Sequence, residues 1–167
     1  MKSGVTITAD NADAILESIR QLSGMDVLVG IPEGNAARED GQLNNAEIGY
    51  LQSTGATVEI DGAVVTLPPR PFLDIGIEDT RDRTTAHLKA AAELALEGNA
   101  AGAERELERA GIIASDGAKA VISTGDRLIP LSEKTLEKRR AAGLPGDKPL
   151  WAQGYLLRSI TYVVRKQ

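Results

Sequence analysis

Pro68, Pro69 and Pro71 enclose Arg70 in the stretch 67–73, Leu-Pro-Pro-Arg-Pro-Phe-Leu, where the backbone has less conformational choice than anywhere else in the chain. Each proline fixes φ near about −65° and biases the residue before it toward extended backbone. Arg70, held between two of them, is thereby an aimed side chain. Phe72, the only phenylalanine among 167 residues, follows with Leu73 as an apolar anchor. Strand and turn patterns precede this corner, and helical ones follow it. Two roles fit Arg70: pairing with a nearby carboxylate inside a strand-to-helix corner, or contact with a partner.

Ahead of the corner, residues 5–8 read as a short strand. Asp10 is placed to cap a helix with Asp13 in its first turn, and Ile15, Leu16, Ile19 and Leu22 recur at helical spacing until Gly24. That amphipathic helix is expected to lie on a sheet. Residues 27–31, Val-Leu-Val-Gly-Ile, form an apolar run closed by Pro32, Glu33 and Gly34, the pattern of a buried strand ending in a turn. No Gly-Lys-Ser/Thr follows, so these glycines make no phosphate loop. Residues 34–43 read as polar loop, and 44–51 as a short helix capped by Asn44 or Asn45 with Ile48 and Leu51 inward, ended by Gly55. Val58 and Ile60, then Val64 and Val65 across Asp61-Gly62, predict a hairpin with a type I′ turn.

After the corner, residues 77–97 predict a helix with an inward stripe of Ile77, Thr84, Leu88, Ala91 and Ala95. Gly98-Asn99 breaks it, and a second helix over about 101–123 carries Leu107, Ala110 or Gly111, Ala114, Ala118 and Val121. Stripes of small residues let helices approach to the short end of the ~8–10 Å interaxial range. Ser132 is placed to cap a further short helix, with Lys138, Arg139 and Arg140 solvated, and residues 143–149 read as loop. One helical turn at about 154–158 leads to a final strand bearing Ile160, Tyr162 and Val164.

Composition removes whole classes of chemistry. With no cysteine, disulfides, thiolate nucleophiles and cysteine-ligated metal sites are out of reach. Aromatics at 3% do not suit an enzyme that grips a sugar or base by stacking. The single histidine, His87, lies in a charged helical stretch and reads as a surface or helix-packing residue rather than half of a catalytic pair. Glu104, Glu106 and Glu108 could be imagined as a hydrolase's paired acids, but side chains two apart on a helix diverge. No catalytic residue, metal or cofactor is expected. No positively charged apolar leader opens the chain and no apolar run nears the ~20 residues of a membrane span, so a soluble protein, cytosolic when made, is expected. The length suits a single domain over 1–167: a strand- and hairpin-rich region over 1–73, a helical hairpin over 74–125, and a loop with a C-terminal strand over 126–167.

The net charge of −5 is partitioned: residues 1–125 carry 10 Lys and Arg against 20 Asp and Glu, and residues 126–167 carry 9 against 4. A DNA-binding accessory using the basic end is one reading, but the acidic majority predicts little or no duplex binding by the free subunit. Copies meeting head to tail, basic end against acidic neighbour, is the other.

The order of these motifs resembles the neck or tail-completion proteins of tailed bacteriophages, of the virion morphogenesis and minor tail component type. Residues 45–55 with the corner 67–73 are similar to that family's helix, Gly, loop and Pro-Ala-Arg-Pro-Phe-Leu corner. Residues 103–123 are similar to its second long helix, and 128–164 to its Pro-Leu, Ser, Thr-Leu and Lys-Arg run followed by Lys-Pro-Leu, Thr-Gly, Leu, Ser-Ile and Tyr-Val. Gln153 stands where the family often has Thr, and Gln52-Ser53-Thr54 replaces its commoner His-Glu-Phe. The resemblance implies an α+β subunit, a mixed or antiparallel sheet packed by two long helices plus a short N-terminal helix. It implies a structural role in the virion neck or tail, with the chain present in host cytoplasm during assembly. The subunit would form a six-fold or twelve-fold ring of its own copies between portal-side head-completion proteins and tail-tube or terminator proteins. DNA would pass through without specific binding. A tail terminator or head-completion protein is the near alternative, and a small acid-pair hydrolase the distant one. The expected contact residues are Arg70, Phe72, Trp151, Tyr155, Leu156, Arg158, Arg165 and Lys166, with the apolar ones supplying most of the binding.

Overall fold

The computed structural model describes residues 10–38, 43–60 and 62–167. In chain order its elements are α1 (Ala12–Ser23), β1 (Met25–Gly30), α2 (Glu33–Ala36), α3 (Asn45–Thr54), β2 (Ala56–Ile60) and β3 (Ala63–Leu67), then α4 (Phe72–Asp79), α5 (Arg81–Leu96), α6 (Ala100–Thr124), α7 (Glu133–Ala141), α8 (Tyr155–Ser159) and β4 (Thr161–Lys166). The architecture is α+β. Its strands form two antiparallel ribbons: β1 with β4, from Met25 opposite Lys166 to Gly30 opposite Thr161, and β2 with β3, from Ala56 opposite Leu67 to Ile60 opposite Ala63.

Helix α6 is the spine. Its 25 residues span about 37 Å, enough to serve two apolar clusters. At its start, Ala103 and Leu107 pack with Ala91 and Ala95 of α5 and with Met25, Val27 and Val164 of the β1–β4 ribbon. Toward its end, Ala118, Val121 and Ile122 pack with Phe72 of α4, Leu128, Leu156 and Ile160. Small residues set these spacings. A Cβ on Gly76 of α4 would stand 2.3 Å from the backbone of Ala118, and one on Gly111 would strike the Tyr162 ring of β4 at 2.3 Å. Only glycine allows either approach.

Several expectations change on folding. The helix expected over 77–97 starts at Phe72 and is broken at Thr80 into α4 and α5. Thr80 donates its hydroxyl to the Gly76 carbonyl at 2.9 Å and the Ile77 carbonyl at 3.1 Å, competing with the helical ladder at that point. Ala91 and Ala95 are buried as expected and Thr84 is half-buried, while Ile77 and Leu88, also expected inward, are exposed, because the side of α5 that meets α6 runs through His87, Ala91 and Ala95. Helix α1 packs on α5 and α6 rather than on a sheet, burying Ser18 and leaving Leu16 and Ile19 exposed. Asp10 caps it from one residue before the cap position, its Oδ1 accepting from the Ala12 amide at 3.0 Å. Glu33 of the expected turn and residues 34–36 of the expected loop form α2. In α3, Ile48 and Leu51 are half-buried while Asn45 and Gly49 are the residues fully inside. The strand expected at 5–8 lies outside the described residues.

Other local signals act as their chemistry dictates. Asn44 and Glu47 close a reciprocal capping box on α3. Gly125 ends α6 at φ 72, a left-handed cap that glycine enters without strain. Ser132 caps α7, accepting from the Thr135 amide. Among the described residues, no helix is long and apolar enough to cross a membrane.

Candidate functional site

The proline corner does aim Arg70, but inward. The backbone amide of Arg70 donates to the Gln52 carbonyl at 2.7 Å, fastening the corner to the end of α3. Its side chain is 5% exposed. Nε donates to the Ile129 carbonyl at 2.7 Å, Nη2 to the Pro130 carbonyl at 3.1 Å, and Nη1 to Gln52 Oε1 at 3.1 Å. All three acceptors are neutral, so the carboxylate partner expected for a structural arginine is not what holds it. Burial pushes the Arg70 pKa below the ordinary arginine range, and the charge of Arg139 pushes it the same way.

These groups line a cleft of about 420 Å³. Its walls come from the base of β3 (Val65 to Leu67), the end of α3 (Gln52), the segment before α7 (Pro130, Leu131), the start of α7 (Ser132, Thr135) and the turn leading into α8 (Leu150, Ala152 to Leu156). Three arginines, Arg38, Arg70 and Arg139, face it, and among the described residues no carboxylate lines it.

The turn before α8 is held under tension. Leu150 sits at φ 62, a left-handed backbone that a bulky side chain enters at a cost of order 1–2 kcal/mol. Arg139 Nη1 braces it from both sides, donating to the carbonyls of Lys148 and Trp151 at 3.0 Å each. Burial lowers the Arg139 pKa as well. Lys148 reaches the Ser123 carbonyl and sits 5.5 Å over the Trp151 ring. Tyr155, the first residue of α8, carries two guanidinium groups within cation–π range: Arg158 at 5.1 Å and Arg38 at 5.4 Å from its ring centre.

Of the expected contact residues, the structure brings Arg70, Tyr155 and Leu156 together in the cleft, with Trp151 beside it and Arg158 stacked on Tyr155. Trp151 and Tyr155 are both 39% exposed. Phe72 and Leu156 are corrected from contact residues to core: Phe72 is fully buried and Leu156 is 6% exposed, because α4 and α8 close over the end of α6. Arg165 and Lys166 lie apart from the cleft on β4, each already facing a carboxylate of its own chain, Asp26 at 2.8 Å and Glu104 at 3.5 Å. Arg38 and Arg139 were missed, whereas Gln52 and Gln153, the two departures from the family pattern noted at expected contact positions, both line the cleft. Arg139 was hidden in the run Lys138-Arg139-Arg140, where only its neighbours are solvated: α7 turns Arg139 toward the cleft while Lys138 and Arg140 stay exposed.

The three glutamates of α6 do not form an acid pair. Glu104 meets Lys166, and Glu106 meets His87 Nδ1 at 2.5 Å and also Arg109. Glu108 is exposed. His87 thus joins α5 to α6. Among the described residues no cluster of three or more His, Asp or Glu could hold a metal ion. The cleft offers buried positive charge, the hydroxyls of Ser132 and Thr135, and apolar walls, which together suit capture of an anionic group. No family model, curated protein or solved structure matches the chain.

Proposed function

We propose that this chain is a structural virion protein of a tailed bacteriophage, a neck or tail-completion component that joins head to tail as a ring around the DNA channel. The observation that supports the reading is the meeting of the two segments that carry the resemblance. The corner at 67–73 and the C-terminal block at 149–164 are distant in sequence, yet Arg70 and Tyr155 line one cleft. A motif pair that serves assembly is expected to meet at such a place, because Phe72 of the corner packs against Leu156 and so helps position the surface that α8 presents. The role is mechanical. Subunits in six or twelve copies hold neighbouring head-side and tail-side rings, and acidic surface toward the lumen lets DNA slide without sticking. The chain acts in the virion, after a period in the host cytoplasm during assembly.

Electron microscopy of particles produced with and without the chain tests this. Its loss is expected to give filled heads and finished tails that do not join. Overlong tails would move the assignment to a terminator, and heads that lose their DNA to a head-completion protein. Normal joined particles would overturn the reading.

A further inference from the structure

Two features of the molecule lack partners, and their chemistries match. The first is the arginine cleft. Arg70 is 95% buried against neutral oxygens, and Arg139 adds a like charge from α7. Arg38 brings a buried Nε that has no hydrogen-bond partner among the described residues. Buried cations are costly unless an opposite charge balances them, and the described lining supplies none.

The second is the β2–β3 ribbon. Its strands pair with each other and make only marginal contact with other elements. Val64 is 76% exposed, Val65 36%, and Glu59, opposite Val64 in the register, is exposed too. A free two-stranded ribbon is marginal in water and leaves its outer edges unpaired. Each five-residue strand extends about 17 Å. Residues 56–67 carry Glu59 and Asp61 but no Lys or Arg. An acidic arm and a cationic cleft therefore occur on one chain, and the base of the arm forms one wall of the cleft, so an incoming arm would pack beside the receiver's own.

We propose that the β2–β3 ribbon of one copy enters the arginine cleft of a second copy, with Glu59 meeting Arg70 and Arg139. The contact is heterologous, joining different surfaces of the two copies, and so generates a ring if the rotation closes and a filament if it does not. It rests on the reading of the chain as a ring subunit, for which it supplies the joint.

Sedimentation velocity of the purified chain over a concentration series tests the joint. Glu59→Arg and Arg139→Glu are each expected to weaken self-association about tenfold or more. An equimolar mixture of the two restores it, because in an alternating assembly every arm again meets a cleft of opposite charge. Since Arg139 also braces the turn at 148–151, Gln52→Glu serves as a second cleft variant. It places a carboxylate on Arg70 within the same chain, so the monomer should melt no lower than wild type while self-association falls. A wild-type chain that stays monomeric, association indifferent to Glu59→Arg or Gln52→Glu, or no recovery on mixing would each overturn the contact. So would a cleft that loses a different acidic virion protein on Arg139→Glu while self-association persists. The two readings fail separately. A chain found in the neck whose self-association ignores these charges defeats the joint alone, and charge-dependent association of a chain absent from particles defeats the neck assignment alone.

Discussion

Truncating Phe72 to alanine removes a ring with no exposure from the junction of α4, α6 and α8. A loss of about 3–5 kcal/mol is expected, since the helices around it cannot fully collapse into the space. Urea denaturation measures it, and a loss under ~1 kcal/mol would mean that this end of the molecule is not packed as described. Arg70 acts differently. Its fork satisfies two backbone carbonyls and one amide oxygen in three directions, a geometry that a lysine cannot reproduce. Arg70→Lys should destabilise by roughly 1–3 kcal/mol through the carbonyls of Ile129 or Pro130 left unpaired, and should weaken hydrogen-exchange protection around residues 128–132. At Glu106 the effect is one of pH. The His87 hydrogen bond holds its carboxyl below the ordinary range, with Arg109 adding and burial opposing. A folded pKa below the unfolded one means that the contact's stability is present in full above the ordinary carboxylate pKa of about 4.3 and is lost as pH falls through the depressed value. Asp26, lowered by Arg165 and Gln167, adds to the same acid limb. Glu106→Gln should flatten that limb in denaturation curves taken between pH 7 and pH 3, leaving Asp26 as the residual slope.

Among the elements, the closest packing is at two glycines. Gly76→Ala would drive a methyl into the backbone of α6, which cannot swing aside as a side chain can, so a loss of at least about 1–3 kcal/mol is expected. Gly111→Ala meets the Tyr162 ring instead and should cost less if Tyr162 can repack. Thermal melts of the two variants would rank them, and the reverse order would show α4 to be the more movable partner. The two ribbons should also separate by stability. β1–β4 is packed on α6 while β2–β3 is nearly free of the body. In a verified monomer, amides of β2 and β3 should exchange by local opening well before those of β1 and β4. Equal protection in both ribbons would indicate that the arm has found a cover.

For the whole molecule, the charge partition along the chain is partly consumed inside it. Arg165 and Lys166 are already engaged with Asp26 and Glu104, and Arg127 with Asp79. The chain as a whole keeps its net charge of −5, with exposed Lys134, Lys138 and Arg140 on α7 as a basic remainder. The free subunit should therefore show no salt-sensitive affinity for duplex DNA, since a protein that binds phosphates releases counterions and one that does not leaves no such signature. A gel-shift series across salt concentrations checks this. Measurable binding that weakens steeply with salt would make the basic C-terminal region a DNA contact and set the mechanical role aside.

Local chemistry in the sequence was sufficient for most of the elements. The small-residue stripe of α6, the caps at Asn44 and Ser132, the left-handed Gly125 and the Asp-Gly hairpin are decided within a few residues, because helix ends and turns depend on short-range hydrogen bonds and allowed φ values. The proline corner likewise determined that Arg70 would be aimed. Where it aims was decided by tertiary structure alone. Its acceptors, Ile129 and Pro130, lie some sixty residues away and are neutral backbone groups that no side-chain pattern advertises. The break at Thr80 and the exposure of Leu88 came from the same level: Thr80 bonds back to Gly76 where α4 is pressed against α6, and α5 turns His87, Ala91 and Ala95 rather than Leu88 toward α6. Arg139 shows the difference most simply. In sequence it is the middle of three like residues, and only the packing of α7 against the turn at 148–151 separates it from its neighbours. Burial is a property of what surrounds a side chain, and for Arg139 those surroundings are assembled from stretches of the chain that its own neighbourhood in sequence does not contain.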